Sequence, residues 1–235
     1  MVVSILVLIK LITIIWKIKY GFCIVSQSGR NNIAKFKLSK IMDFSNYIHP
    51  WATAQQRVTI VTRAQWGTRA PTGTTRLNTP VPNVIIHHTV TGSCTSRNAC
   101  INIMRSMQNH HMNTNRWADI GYNFAVGGDG AVYEGRGWNV VGAHAAGWNS
   151  NSIGIAFIGT FTSANPPAVQ LNAARALITA GMNNGAIARN HRLMGHRQVS
   201  ATECPGAALF RTIQSWPNWR DGNLVEMNDV EDMDM

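Results

Sequence analysis

The chain has 235 residues, 45% of them hydrophobic, and a formal charge of +10, enough for one domain with a sizeable core plus extensions rather than two full domains. All six lysines precede residue 41; residues 51–220 carry fourteen arginines, four acids and no lysine; residues 221–235 carry six acids and no base. A basic body attracts anionic partners, but the arginines are scattered and no basic helix, zinc-finger spacing or aromatic ribonucleoprotein motif accompanies them, which argues against nucleic acid; an anionic surface polymer suits the charge at least as well.

Residues 1–28 are strongly apolar through Trp16 and resemble a secretory signal or a membrane anchor. Neither fits cleanly: Lys10 interrupts the run, no basic segment precedes it, and no small-x-small cleavage site follows. An uninterrupted span needs about 20 apolar residues. Residues 1–50 are read as a signal peptide or membrane anchor plus a linker, holding the unpaired Cys23; initiation at Met42 would remove this leader and leave the body intact.

In residues 81–89, VPNVIIHHT, a β-branched run behind a proline predicts a strand ending at His87 and His88. Residues 96–113 place Ile101, Met104, Met107 and Met112 near helical spacing, with Ser96 as a capping residue. Residues 119–137 alternate on both sides of Gly-Gly-Asp-Gly, a hairpin signal. Residues 152–161, SIGIAFIGTF, form a short, continuously apolar strand. Residues 166–182 begin with two prolines and carry Val169, Leu171, Ala174, Leu177 and Ile178 at the spacing of an amphipathic helix. Residues 191–196, HRLMGH, read as a short strand, and residues 204–216, CPGAALFRTIQSW, as a last helix with proline in its first turn. Residues 221–235 have too few apolar side chains to pack and read as a disordered acidic tail. Strands interleaved with helices give an α/β or α+β layered domain over residues 51–220.

Cys94 and Cys100 are too widely spaced for a zinc knuckle pair and have no matching second pair. A small disulfide loop in an oxidising compartment is one reading and two free buried thiols the other. Cys204 is then left without a partner. It could be a nucleophile beside a basic histidine or a metal ligand. His87 and His196 at strand ends and Cys204 at a helix start match catalytic zinc, where three protein ligands leave one position for a water whose pKa falls to about 7. The same residues could also be plain core groups. Tyr122 follows Gly121, and His144 lies two residues after Gly142. A tyrosine hydroxyl near zinc could hydrogen-bond an oxyanion, and either residue could equally be a satisfied structural group.

Five segments in order, TRAQWG (62–67), NVIIHHT (83–89), DIGYNFAVGGDGAVYEGRGWNVVGAH (119–144), SIGIAFIG (152–159) and GHRQVSATECPG (195–206), together resemble the peptidoglycan recognition proteins. That family is similar to the phage amidase lysozymes and bacterial type 2 amidases. The resemblance runs from about Val58 to Trp219. It implies a central mixed β-sheet flanked by three main helices, with a groove holding one zinc ion on His87, His196 and Cys204. It also implies hydrolysis of the lactyl amide bond between N-acetylmuramic acid and L-alanine in bacterial peptidoglycan, with a role in innate immunity. The family's catalytic tyrosine falls on Tyr122, and Thr202 stands where phage enzymes carry a lysine. Members divide into zinc amidases and zinc-less receptors. The receptors commonly lose the cysteine that this chain keeps, so a non-catalytic peptidoglycan-binding receptor is the alternative. The family's groove positions map to His88, His111, Trp117, His144 and Asn149. Arg136 stands where members that prefer diaminopimelate-type stems carry an arginine, suited to the extra carboxylate; the Gly-Trp of such members is Arg116-Trp117 here. The resemblance places the protein outside the cell, secreted or membrane-anchored. Peptidoglycan or a muropeptide is its partner, nucleic acid is not, and membrane contact runs only through a possible N-terminal anchor.

Overall fold

In a computed structural model that describes residues 58–222, six strands form one mixed sheet. They are β1 Ile60–Val61, β2 Val81–His88, β3 Phe124–Val126, β4 Val132–Glu134, β5 Ser152–Phe157 and β6 Ile187–Gly195, in the spatial order β1-β4-β3-β5-β2-β6. Only β3 and β4 pair antiparallel, across the expected Gly-Gly-Asp-Gly turn; the other neighbours are parallel. Among the described residues, four α-helices accompany them: α1 Arg63–Trp66, α2 Arg97–Asn113, α3 Ala168–Asn183 and α4 Ala207–Ile213. The expected leader with Cys23, and residues 223–235 of the expected tail, lie outside the described residues. Among the described residues, no helix is long and apolar enough to cross a membrane.

The sheet's two faces are chemically unequal. Side chains alternate along a strand, so the sequence SIGIAF sends Ile153, Ile155 and Phe157 to one face and Ser152, Gly154 and Ala156 to the other. The large set joins Val84, Ile86, Phe124 and Val126 in the main core, covered by Ala173, Ala174, Leu177 and Ile178 of α3 and Leu209 and Ile213 of α4. On the opposite face, Cys100, Met104 and Met107 of α2 pack over Ala125, Tyr133 and Val61. On that face β5 offers only the small Ser152, Gly154 and Ala156 beside Asn83, Ile85 and His87 of β2.

The local signals explain most boundaries. Ser96 caps α2 by accepting from Ala99 N, as expected, and Cys100, Met104, Met107, Gln108 and Met112 form its buried stripe. In α3 the apolar stripe is shifted: Val169 is 52% exposed, while Gln170 is buried. The reason is hydrogen bonding, since Gln170 Nε2 donates to Val126 O and Ile158 O at the ends of adjacent parallel strands. An acceptor left there without a partner would cost about 1–3 kcal/mol. β5 stops at Phe157, short of the expected residue 161, and β6 begins at Ile187, before the expected residue 191. His196 lies just past β6, in a 3-10 turn. The last helix starts at Ala207, after Gly206 with φ 88°, so neither Cys204 nor Pro205 is in its first turn. α1 was not expected; it is four residues long, held by reciprocal hydrogen bonds between Thr62 and Gln65, too short for periodicity to reveal.

Cys94 and Cys100 form a disulfide at the start of α2. The β3–β4 turn lies against it: a Cβ on Gly127 would fall 2.8 Å from Cys100 Sγ, and one on Gly128 2.4 Å from Cys94 O. The bridge closes a short loop, whose chain-entropy contribution is about 2 kcal/mol. A Cys94→Ser/Cys100→Ser double variant is expected to lose about that much stability, read as a lower denaturant midpoint.

Candidate metal centre

β2 and β6 run parallel with Ile86 opposite Gly195, so His87 and His196 emerge side by side near the carboxyl ends of neighbouring strands, where parallel sheets form ligand crevices. The turn holding His196 is pinned by Gln198, whose Oε1 accepts from Gly195 N and whose Nε2 donates to Arg220 O and Gly222 O. Arg197 straps the Cys204 segment to this turn. Its N–H donates to Cys204 O at 2.8 Å, its guanidinium pairs with Glu203 at 2.9 Å, and the same group lies 5.1 Å over the Phe210 ring. Thr202 Oγ1 accepts from Cys204 N at 3.2 Å.

One ligand-capable atom from each of His87, His196 and Cys204 lies within 4.8 Å of the others. Cys204 Sγ is 3.7 Å from His87 Nδ1, and the two imidazole centroids are 4.4 Å apart. Three residues separated by up to 117 positions in sequence thus converge on one point. Burial holds the His87 pKa well below its ordinary value, helped by the neighbouring His144, His196 and His88. Burial, then His88, lowers His196 to about 4. Burial pushes the Cys204 thiol up to about 12, against the opposing pull of the His88 N–H and the Arg197 charge.

These directions separate the two chemistries open to Cys204. A cysteine nucleophile paired with histidine needs a depressed thiol pKa and a protonated imidazole beside it. Both shifts here run the other way. Two neutral imidazoles and a buried thiol that keeps its proton are instead the groups a cation would complete, and two nitrogens with one sulfur are a donor set suited to zinc. No helix start lies at Cys204 to favour a thiolate, because α4 begins three residues beyond it. The backbone N–H of His88 takes that part, donating to Sγ at 3.4 Å.

Tyr122 flanks this cluster, its ring 5.4 Å from that of His87 and 5.8 Å from that of His111. Burial, then Cys204, raises its pKa, so the phenol keeps its proton at neutral pH. The segment entering Tyr122 is anchored by two residues that sequence reading did not single out. Asp119 Oδ1 accepts from Gln108 Nε2 at 2.6 Å and Ile120 N at 2.8 Å, and Oδ2 pairs with Arg63 at 2.9 Å. Only a lone acid next to an apolar run hinted at this, and its cation lies 56 positions earlier.

The expected groove residues are placed unequally. Trp117 is 37% exposed and 4.8 Å from the His111 ring, whose Nδ1 accepts from Gly121 N. His88 is buried, with Nδ1 accepting from Phe161 N. Asn149 Oδ1 accepts from His144 N and Ala145 N, shaping the loop beside the cluster. Arg136 is half-buried and donates to the carbonyls of Ile120, Val141 and Asp119. His144 is buried against His87, with 3.0 Å between His144 Nδ1 and His87 Nε2.

Residues 77–207 match the family model described as N-acetylmuramoyl-L-alanine amidase. Peptidoglycan-recognition protein SC2 of Drosophila simulans is 46% identical over 169 residues, covering 72% of this chain and 92% of the relative. The wild-type Drosophila PGRP-LB structure is 44% identical with a TM-score of 0.69, covering 69% of this chain and 96% of that one. Peptidoglycan recognition protein-LE, solved in complex with tracheal cytotoxin (monomeric diaminopimelic acid-type peptidoglycan), is 42% identical with a TM-score of 0.69, covering 72% of this chain and 98% of that one.

Proposed function

The chain belongs to the peptidoglycan-recognition proteins of the N-acetylmuramoyl-L-alanine amidase family, and on that premise we propose that it is a zinc amidase. It cleaves the lactyl amide between N-acetylmuramic acid and L-alanine in bacterial peptidoglycan. The observation that carries this is the convergence of His87, His196 and Cys204, whose ligand atoms lie within 4.8 Å of one another. These three residues hold the ion. When bound, zinc supplies Lewis acidity and lowers the pKa of water toward 7.

The chain's own groups do the rest. Tyr122, protonated and beside the cluster, donates a hydrogen bond to the carbonyl oxygen as negative charge develops there. Thr202, whose oxygen accepts from Cys204 N, keeps its hydroxyl hydrogen to orient the attacking water or the carbonyl. Trp117 and His111 offer an aromatic shelf for the ligand at the groove rim. The substrate is of the diaminopimelate type, which the recognition protein-LE complex supports; on Arg136, two N–H groups beyond those given to carbonyls remain for the extra carboxylate. The Cys94–Cys100 bridge supports action outside the cell, where disulfides persist.

The test is release of free stem peptide from purified diaminopimelate-type peptidoglycan, followed by mass spectrometry. Release is expected with zinc present, to stop with a chelator and to resume on adding zinc. Zinc-loaded protein that binds peptidoglycan without releasing peptide would instead be a receptor.

A further inference from the structure

The imidazole of His87 ends a chain of hydrogen bonds whose direction is set by a backbone carbonyl. Ser152 Oγ lies 2.6 Å from Trp148 O. A carbonyl only accepts, so the serine hydrogen points there. The serine oxygen keeps its lone pairs for His144 Nε2, 3.5 Å away. His144 therefore carries its proton on Nε2 and presents a bare Nδ1 to His87 Nε2 at 3.0 Å. Two bare nitrogens cannot form that contact, so His87 donates from Nε2 and is bare at Nδ1. That is the nitrogen 3.7 Å from Cys204 Sγ.

We propose that Ser152 and His144 are positioning residues that fix the tautomer of His87, aiming its Nδ1 lone pair at the ion shared with His196 and Cys204. This rests on the zinc reading above and gives His144 a different part from a groove contact. The surroundings are built for the relay. Ser152, His144 and His87 are 0%, 7% and 1% exposed, so water does not compete for these bonds. Two backbone positions give up their side chains to seat the His144 ring: a Cβ on Gly154 or on Gly142 would fall 2.4 Å from it. Asn149 fixes the backbone at His144 and Ala145. Metal-binding histidines characteristically donate their second nitrogen to an acceptor that sets ring orientation, and loss of such a partner typically weakens metal binding about 10–100-fold. The acceptor here is a second histidine, itself oriented by a serine.

The experiment uses the full chain with 15N-labelled histidine. In the metal-free protein, 1H–15N couplings should find His87 and His144 each protonated at Nε2 alone. His144→Phe removes the acceptor, and Ser152→Ala removes the group that orients it without changing the ring. Both variants should show His87 as a mixture of tautomers. Zinc affinity, measured by chelator competition, should fall about 10–100-fold in the first and by a smaller but measurable factor in the second. His87 protonated at Nδ1 in the wild type would overturn the relay. So would wild-type zinc affinity in folded Ser152→Ala, which keeps the test decisive where His144→Phe does not fold. Wild-type protein that takes up no zinc overturns the metal reading, and the positioning role with it.

Discussion

Cys204→Ser is expected to reduce both zinc content and amide hydrolysis to background while leaving the fold and peptidoglycan binding in place. The separation follows from which atoms do what. Cys204 is held in position through its backbone, by Thr202 Oγ1 on its N–H and the Arg197 N–H on its carbonyl, and neither bond uses the sulfur. A serine keeps them. What it loses is the thiolate, the strongest donor of the three and the only anionic one. The groove residues Trp117 and His111 do not depend on the sulfur, so ligand binding should persist, measured by pull-down on insoluble peptidoglycan. Undiminished hydrolysis by a folded Cys204→Ser protein would refute the assignment of the metal ligands.

Tyr122→Phe is expected to lower kcat by about 10²–10³, the usual loss for one oxyanion donor, with zinc content unchanged. The phenylalanine ring keeps the packing against His87 and His111 and removes only the hydroxyl. KM should change little, because the bond strengthens as charge develops on the carbonyl oxygen rather than in the bound ground state. An unchanged kcat would move oxyanion stabilisation to another group.

The large elements were legible because each carries a periodic signal with a stop. The β-branched run 84–86, the methionine stripe behind Ser96 and the glycine turn at 127–130 each define an element locally. The errors fall where polar groups serve distant partners. Gln170 is buried for the carbonyls of Val126 and Ile158, which no window around residue 170 contains. Cys204 looked like a helix start because Pro-Gly follows it, yet the chain spends two more residues turning at Gly206 before α4 begins. For the site, local context suggested His87, His196 and Cys204 as candidate donors, while their convergence is a property of strand order: β2 lies beside β6, and Arg197 ties the Cys204 segment back to their ends. The Asp119–Arg63 pair and the Ser152–His144–His87 chain were out of reach for the same reason. Each joins residues far apart in sequence, and the pairing exists only once the sheet brings them together.

The most direct test of a single divalent ion held by two imidazoles and one sulfur is titration of the metal-free protein with cobalt(II) at neutral pH. Because both imidazoles are already neutral and the thiol, pushed up to about 12, still holds its proton, loading should release one proton, taken from the thiol. The expected result is one equivalent bound, one proton released and a sulfur-to-cobalt charge-transfer band in the near ultraviolet that is absent from Cys204→Ser. Stoichiometric binding without that band, or no binding at all, would contradict it.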